Sequence, residues 1–199
     1  SSCWEPHDGG LTRVGHRMVA ALDDAGVLVD ISHVGNVTGR DAIDASANPI
    51  AVTHGNPASF CPSARNKPDD LIEALAARGG VIGCTLYPLF MGGADLPRSA
   101  YCRMLADLAE QVGVDHVAIG TDAVVGWQPD ALGWMRNGRW DRPDNPDEVP
   151  PFPPWPDWFR GPEDFPSLAE GLDEVGFVPE ERDAVLGGNW RRLFGQVFG

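Results

Sequence analysis

Val27-Leu-Val-Asp-Ile-Ser-His33, Pro49-Ile-Ala-Val-Thr-His54 and His116-Val-Ala-Ile-Gly-Thr-Asp122 are three short apolar runs that each close on an ionisable residue. Their length and Val/Ile content read as buried strands. A fourth run, Val81-Ile-Gly-Cys-Thr-Leu-Tyr87, has the same character. In a barrel of alternating strands and helices, the carboxyl edge of the strands is where active sites are built. Three strands that deliver His33, His54 and Asp122 to that edge make an enzyme the leading reading.

Helical patterns fill the gaps between these runs. Thr12 is placed to cap a helix reaching Ala25, with Val14, Met18, Val19 and Leu22 on one face and Gly26 as the stop. A second helix is expected over about 36–46. A third begins near Pro68, with Leu71, Ile72, Leu75 and Ala76 facing inward and Gly79-Gly80 ending it, and a fourth covers about 99–112. Apolar strands separated by helices indicate a parallel sheet covered on both sides, an α/β fold of about four strand and helix units. Residues 123–166 break the pattern with Trp127, Trp134, Trp140, Trp155, Trp158 and many prolines. A loop of that length and aromatic content reads as a functional lid. Two terminal helices follow, over 167–175 and from Pro179 into Gly188-Asn-Trp-Arg-Arg-Leu-Phe194.

With 199 residues, 43% of them hydrophobic, the chain can bury a core as one domain spanning 1–199. Fifteen Lys and Arg against 29 Asp and Glu leave a formal charge of -14, which opposes the phosphate neutralisation that nucleic-acid binding requires. No run approaches the ~20 apolar residues of a membrane span. Cys3, Cys61, Cys84 and Cys102 form no C-x-x-C pair and read as free thiols, so a cytoplasmic location is expected.

Each candidate group has a structural alternative. A strand-end histidine can simply satisfy local backbone groups, but two on adjacent strands, under ~5 Å apart, can share one metal ion. Asp122, after Gly120-Thr121, is suited either to accept a proton from water or substrate or to cap the next loop. Arg65, on the loop after His54, is suited either to a substrate carboxylate or to pairing with Asp69 or Asp70. His7, His16 and His116 have no such setting.

Seven segments in order carry a resemblance to the membrane (renal) dipeptidase family of zinc metallopeptidases. They are Gly10-Leu-Thr-Arg-Val-Gly15, Val29-Asp-Ile-Ser-His-Val34, Pro49-Ile-Ala-Val-Thr-His-Gly-Asn56, Arg65-Asn-Lys-Pro-Asp-Asp70, Gly79-Gly-Val-Ile-Gly83, Val114-Asp-His-Val-Ala-Ile-Gly-Thr-Asp122 and Gly187-Gly-Asn-Trp-Arg-Arg192. The resemblance implies a parallel (β/α) barrel of TIM type and hydrolysis of dipeptides by a zinc-activated water. It also implies that His33 and His54 bind one zinc of a binuclear pair, that Arg65 holds the substrate's terminal carboxylate and that Asp122 assists at the scissile peptide.

The family also carries a His-x-Asp ligand pair, a glutamate bridging both metals and a substrate-contacting histidine, all before the segment matched here. His7-Asp8 lies too late in the order to replace them. The chain is therefore expected to be the carboxyl-terminal half of a barrel, with an exposed apolar inner face and two unpaired sheet edges. It would be completed by a missing amino-terminal half or by homodimerisation. The expected function is metal-dependent dipeptide hydrolysis as part of a longer or completed enzyme. The alternative is a catalytically silent half-barrel that serves binding or assembly.

Overall fold

The alternation of apolar runs and amphipathic segments folds as a parallel α/β layer structure. A computed structural model describes residues 1–123 and 154–199. Helix α1 (Arg13–Asp24) starts where Thr12 Oγ1 accepts the Gly15 N–H at 3.1 Å, the capping role its hydroxyl suits. Helix α2 (Asn36–Ala45) has Gly35 as its N-cap, which has no side chain to offer. The carboxylate of Asp8 takes that place, accepting from the Val37 N–H at 2.7 Å, the Thr38 N–H at 3.0 Å and the Thr38 hydroxyl.

Strand β1 (Ala51–Val52), helix α3 (Asp69–Ala77), strand β2 (Val81–Cys84), the short helix α4 (Pro88–Met91), helix α5 (Arg98–Val112) and strand β3 (Val117–Ile119) follow. Asp69 and Asp70 in the first turn of α3 complement its dipole. The sheet order is β1-β2-β3, all parallel, with Ala51 opposite Val81 and Ile82 opposite Val117. Residues 29–31 join beyond β1: Ile31 N–H donates to Ala51 O at 2.8 Å, and Ala51 N–H donates to Val29 O at 3.0 Å. Helices α6 (Phe165–Glu174), α7 (Pro179–Asp183) and α8 (Asn189–Phe198) complete the fold, with a π-helical turn (Ala184–Gly188) before α8.

Parity along the strands sorts the core into two faces. Val52, Ile82, Cys84, Val117 and Ile119 pack beneath the crossover helices with Ile43, Leu75, Leu105 and Leu172. Ala51, Val81 and Ala118 point the other way and meet Leu193 and Val197 of α8. The inner face is therefore not left bare, as the half-barrel reading expects. Its amino-terminal end is covered by the chain's own last helix. Trp190 Nε1 donates to Ile119 O at 2.9 Å and Asn189 Nδ2 donates to Val117 O at 2.7 Å, which anchors that helix across β3.

Three further expectations change. The run 27–32 makes a single parallel bridge at Asp30 rather than a full strand, and the other strands are shorter than their apolar runs, because ladder bonds form only where two neighbours are in register. Most of the tryptophan-rich segment, including Trp127, Trp134 and Trp140, lies outside the described residues. Its end is packed rather than loop-like: Trp158 Nε1 donates to Leu96 O at 2.7 Å, Phe159 is fully buried, and α6 begins at Phe165. Among the described residues no helix is long and apolar enough to cross a membrane.

Candidate metal centre

His33 follows the 29–31 segment and His54 follows β1, so parallel pairing sets both rings at the carboxyl edge of the sheet. Their Nε2 atoms approach to 2.9 Å, with ring centroids 4.9 Å apart. Two nitrogens this close both lie within the ~2.0–2.1 Å bond radius of a single zinc-sized ion between them. Burial is the main cause that lowers both imidazole pKa values below the ordinary 6.5. The positive charge of Arg65 adds to this, and Asp122 and Asp30 oppose it. The neutral form, which carries the lone pair a metal needs, is thereby favoured. Among the described residues no group of three or more His, Cys, Asp or Glu could hold a metal ion.

Asp122 lies just past β3 and has φ 59, the left-handed region that a non-glycine residue rarely occupies and that clusters at functional sites. It is exposed, and its charge acts on His33, His54 and Arg65.

Arg65 is not a solvated loop cation: it is 1% exposed. Its NH1 donates to Ser32 O, its NH2 donates to His54 O at 3.0 Å, and its Cζ lies 5.3 Å from the centre of the Phe90 ring. Its Nε is buried without a hydrogen-bond partner among the described residues. Asp69 and Asp70, the sequence's other candidates for pairing with it, are engaged elsewhere, by Ser59 and Arg40. The loop that carries Arg65 is fixed by two buried amides. Asn56 Nδ2 donates to Thr85 O and Phe90 O at 3.1 and 2.9 Å, and Asn66 Nδ2 donates to Cys61 O and Phe90 O at 2.7 and 2.8 Å.

Sequence reasoning missed Asp30, Ser32, Thr53 and Lys67. Asp30 Oδ1 accepts from the Ser32 hydroxyl at 2.5 Å and its Oδ2 from the Thr53 hydroxyl at 2.7 Å, while Thr53 Oγ1 also meets His54 Nδ1 at 2.7 Å. Desolvation raises the Asp30 carboxyl, but the hydrogen bonds from Ser32 and Thr53 outweigh it and hold the group below the usual carboxylate value. The signal available in the sequence was a carboxylate in mid-run of an otherwise apolar strand. Lys67 Nζ donates to Val34 O at 2.7 Å, and Cys3 N–H donates to His33 O at 2.9 Å, so both brace the turn that carries His33. Asp8 serves α2, and His116 Nδ1 meets Gly80 O at 2.8 Å, which leaves neither at the centre.

Parallel strands under crossover helices, with two imidazoles converging at the strands' carboxyl edge, define part of a barrel of the metallohydrolase class. A family model described as membrane dipeptidase (peptidase family M19) matches residues 1–134, and the chain belongs to that family. Dipeptidase aclJ of Aspergillus oryzae is 28% identical over 203 residues, covering 97% of this chain and 40% of that protein. Dipeptidase 3 of Rattus norvegicus is 28% identical over 192 residues, covering 94% and 33%. Among solved structures, an amidohydrolase from Pseudomonas aeruginosa superposes with TM-score 0.87 at 31% identity, over 100% of this chain and 61% of that one. A metallo peptidase from Rhodobacter sphaeroides, liganded with a phosphinate mimic of the dipeptide L-Ala-D-Ala, shares the fold at TM-score 0.76 and 21% identity, over 99% and 49%. The chain thus spans between 33% and 61% of the length of these relatives.

Proposed function

We propose that this chain, acting as one partial barrel domain over residues 1–199, supplies half of the active site of a zinc-dependent dipeptidase. The observation that carries the reading is the 2.9 Å approach of His33 Nε2 and His54 Nε2 at the carboxyl edge of the sheet. His33 and His54 would hold one zinc ion, and the remaining ligands would come from an amino-terminal half-barrel pairing with the open edges of residues 29–31 and β3. Bound zinc would lower the pKa of a water molecule and polarise the scissile carbonyl.

Asp122, at φ 59 and with its charge felt by both imidazoles, would accept the proton that the attacking water loses. Arg65 is the cation for the dipeptide's terminal carboxylate. Among the described residues this buried guanidinium hydrogen-bonds only neutral carbonyls, its Nε has no partner and no carboxylate forms an ion pair with it, which supports that role. Engaging a substrate would require the guanidinium to release the carbonyl of Ser32 or of His54. The four free thiols fit a cytoplasmic location.

A second reading, a catalytically silent assembly module, draws on the same two edges. They have no further strand partner among the described residues, and they suit pairing with another copy or another chain. Dipeptide hydrolysis by the zinc-loaded protein completed with an amino-terminal half separates the two. Turnover that a chelator abolishes and zinc restores is expected. A completed, zinc-loaded protein that assembles but releases no amino acids from any dipeptide would favour the silent module.

A further inference from the structure

The hydrogen-bond network behind His54 assigns a proton to each atom. Asp30, held as a carboxylate, can only accept. The Ser32 hydroxyl lies 2.5 Å from its Oδ1 and the Thr53 hydroxyl 2.7 Å from its Oδ2, so each hydroxyl gives its single proton to Asp30. Thr53 Oγ1 then has only lone pairs left for its neighbour His54 Nδ1 at 2.7 Å, and Nδ1 must be the N–H donor. In a neutral ring with Nδ1–H, Nε2 carries the lone pair. The 2.9 Å contact between His54 Nε2 and His33 Nε2 needs one proton, and that proton falls to His33. Backbone bonds lock the relay in place: Asp30 Oδ1 also accepts from the Ser32 and Thr53 N–H groups at 2.9 and 3.1 Å, and Ser32 Oγ accepts from the His54 N–H at 3.1 Å.

We infer that Asp30 and Thr53 are positioning residues that fix His54 as the Nδ1–H tautomer through a carboxylate–hydroxyl–imidazole relay, so that its Nε2 faces the metal site as a ready lone pair. The inference rests on the metal-site reading for its purpose but not for its geometry. Carboxylate partners commonly orient metal-binding histidines directly, fixing tautomer and ring angle. Here a hydroxyl stands between carboxylate and ring. Among the described residues His33 has no such partner, and its proton would move from Nε2 to Nδ1, through solvent, on metal binding.

The two rings therefore behave differently. Long-range proton–nitrogen correlation spectra of the metal-free chain at about pH 8, above the ordinary imidazole value of ~6.5, read the tautomers directly. Wild type should show His54 as Nδ1–H and His33 as Nε2–H, and added zinc should convert only His33. Thr53→Val should let His54 populate both tautomers and weaken zinc binding roughly 10- to 100-fold in a competition with a chromophoric chelator. Thr53→Ser, which keeps the hydroxyl, should retain both properties.

A wild-type His54 protonated at Nε2, or a folded Thr53→Val variant with an unchanged tautomer, would overturn the relay. The wild-type spectrum decides even if Thr53→Val fails to fold. Failure of zinc to bind the chain completed with an amino-terminal half, with His54 in the Nδ1–H form, would refute the metal reading while upholding the relay.

Discussion

Lys67 is fully buried, its Nζ has Val34 O as its hydrogen-bond acceptor, and burial, reinforced by the charge of Arg65, brings its pKa down from 10.5 to about 8. Between those values the unfolded chain holds a proton that the folded chain has released, so stability rises with pH through that interval. Burial raises the thiols of Cys84 and Cys102, the latter to about 11 from 9.0, which reverses the sign above 9.0 because the folded state then keeps protons that the unfolded state loses. Denaturant melts should therefore show a shallow rise of about 0.3 kcal/mol from pH ~8 to ~9, the Lys67 gain of about 1 kcal/mol being largely offset by the two thiols, and a fall beyond it. Lys67→Met should abolish the rise. An equal rise in that variant would mean that another group causes it. The placement of His33, His54 and Asp122 just past the sheet's strands was legible because each ends an apolar run. The burial of Arg65 was not, because it depends on Asn56 and Asn66 closing a loop onto Phe90, a contact across 24 to 34 positions that no local pattern encodes.

Element positions followed the sequence closely where a local chemical signal exists. Thr12 caps α1, and Pro68, with φ -65, stands at the N-cap of α3. Strand lengths did not follow, since an apolar run reports burial and not the presence of a hydrogen-bonding neighbour. Neither did α4, four residues long and too short for any periodicity. At Gly120, just past β3, the chain packs closely against neighbouring backbone beneath His54. A Cβ on Gly120 would collide with the Thr53 carbonyl oxygen and stand 2.9 Å from Gly83 O, both backbone atoms that cannot rotate away. Gly120→Ala should therefore spread the strands beneath His54 and destabilise the fold by about 1–3 kcal/mol, the usual effect of overpacking. Gly195→Ala, exposed in α8 with nothing within 4 Å of the new methyl, should stabilise it by about 0.5–1 kcal/mol. Equal effects of the two substitutions in thermal melts would contradict the close-approach account.

At the scale of the whole molecule, the sheet has one face under the crossover helices and the other partly under α8. The outer face was legible from the amphipathic helices. The inner cover was not, because Leu193 and Val197 of α8 meet strand residues 75 to 146 positions earlier in the chain, and the exposed Phe194 and Phe198 give the same helix a second apolar stripe. This cover keeps the strands' amino ends dry and leaves the carboxyl edge, with its two imidazoles, open towards the rest of a barrel. On the proposed reading, this chain is a metal half-site within a membrane dipeptidase family fold. Equilibrium dialysis against zinc of the protein completed with an amino-terminal half, comparing wild type with His33→Ala and His54→Ala, tests that claim most directly. A zinc ion that the completed wild type binds and that either folded variant loses is the predicted result. No zinc on wild type, or full occupancy in the two variants, would contradict it.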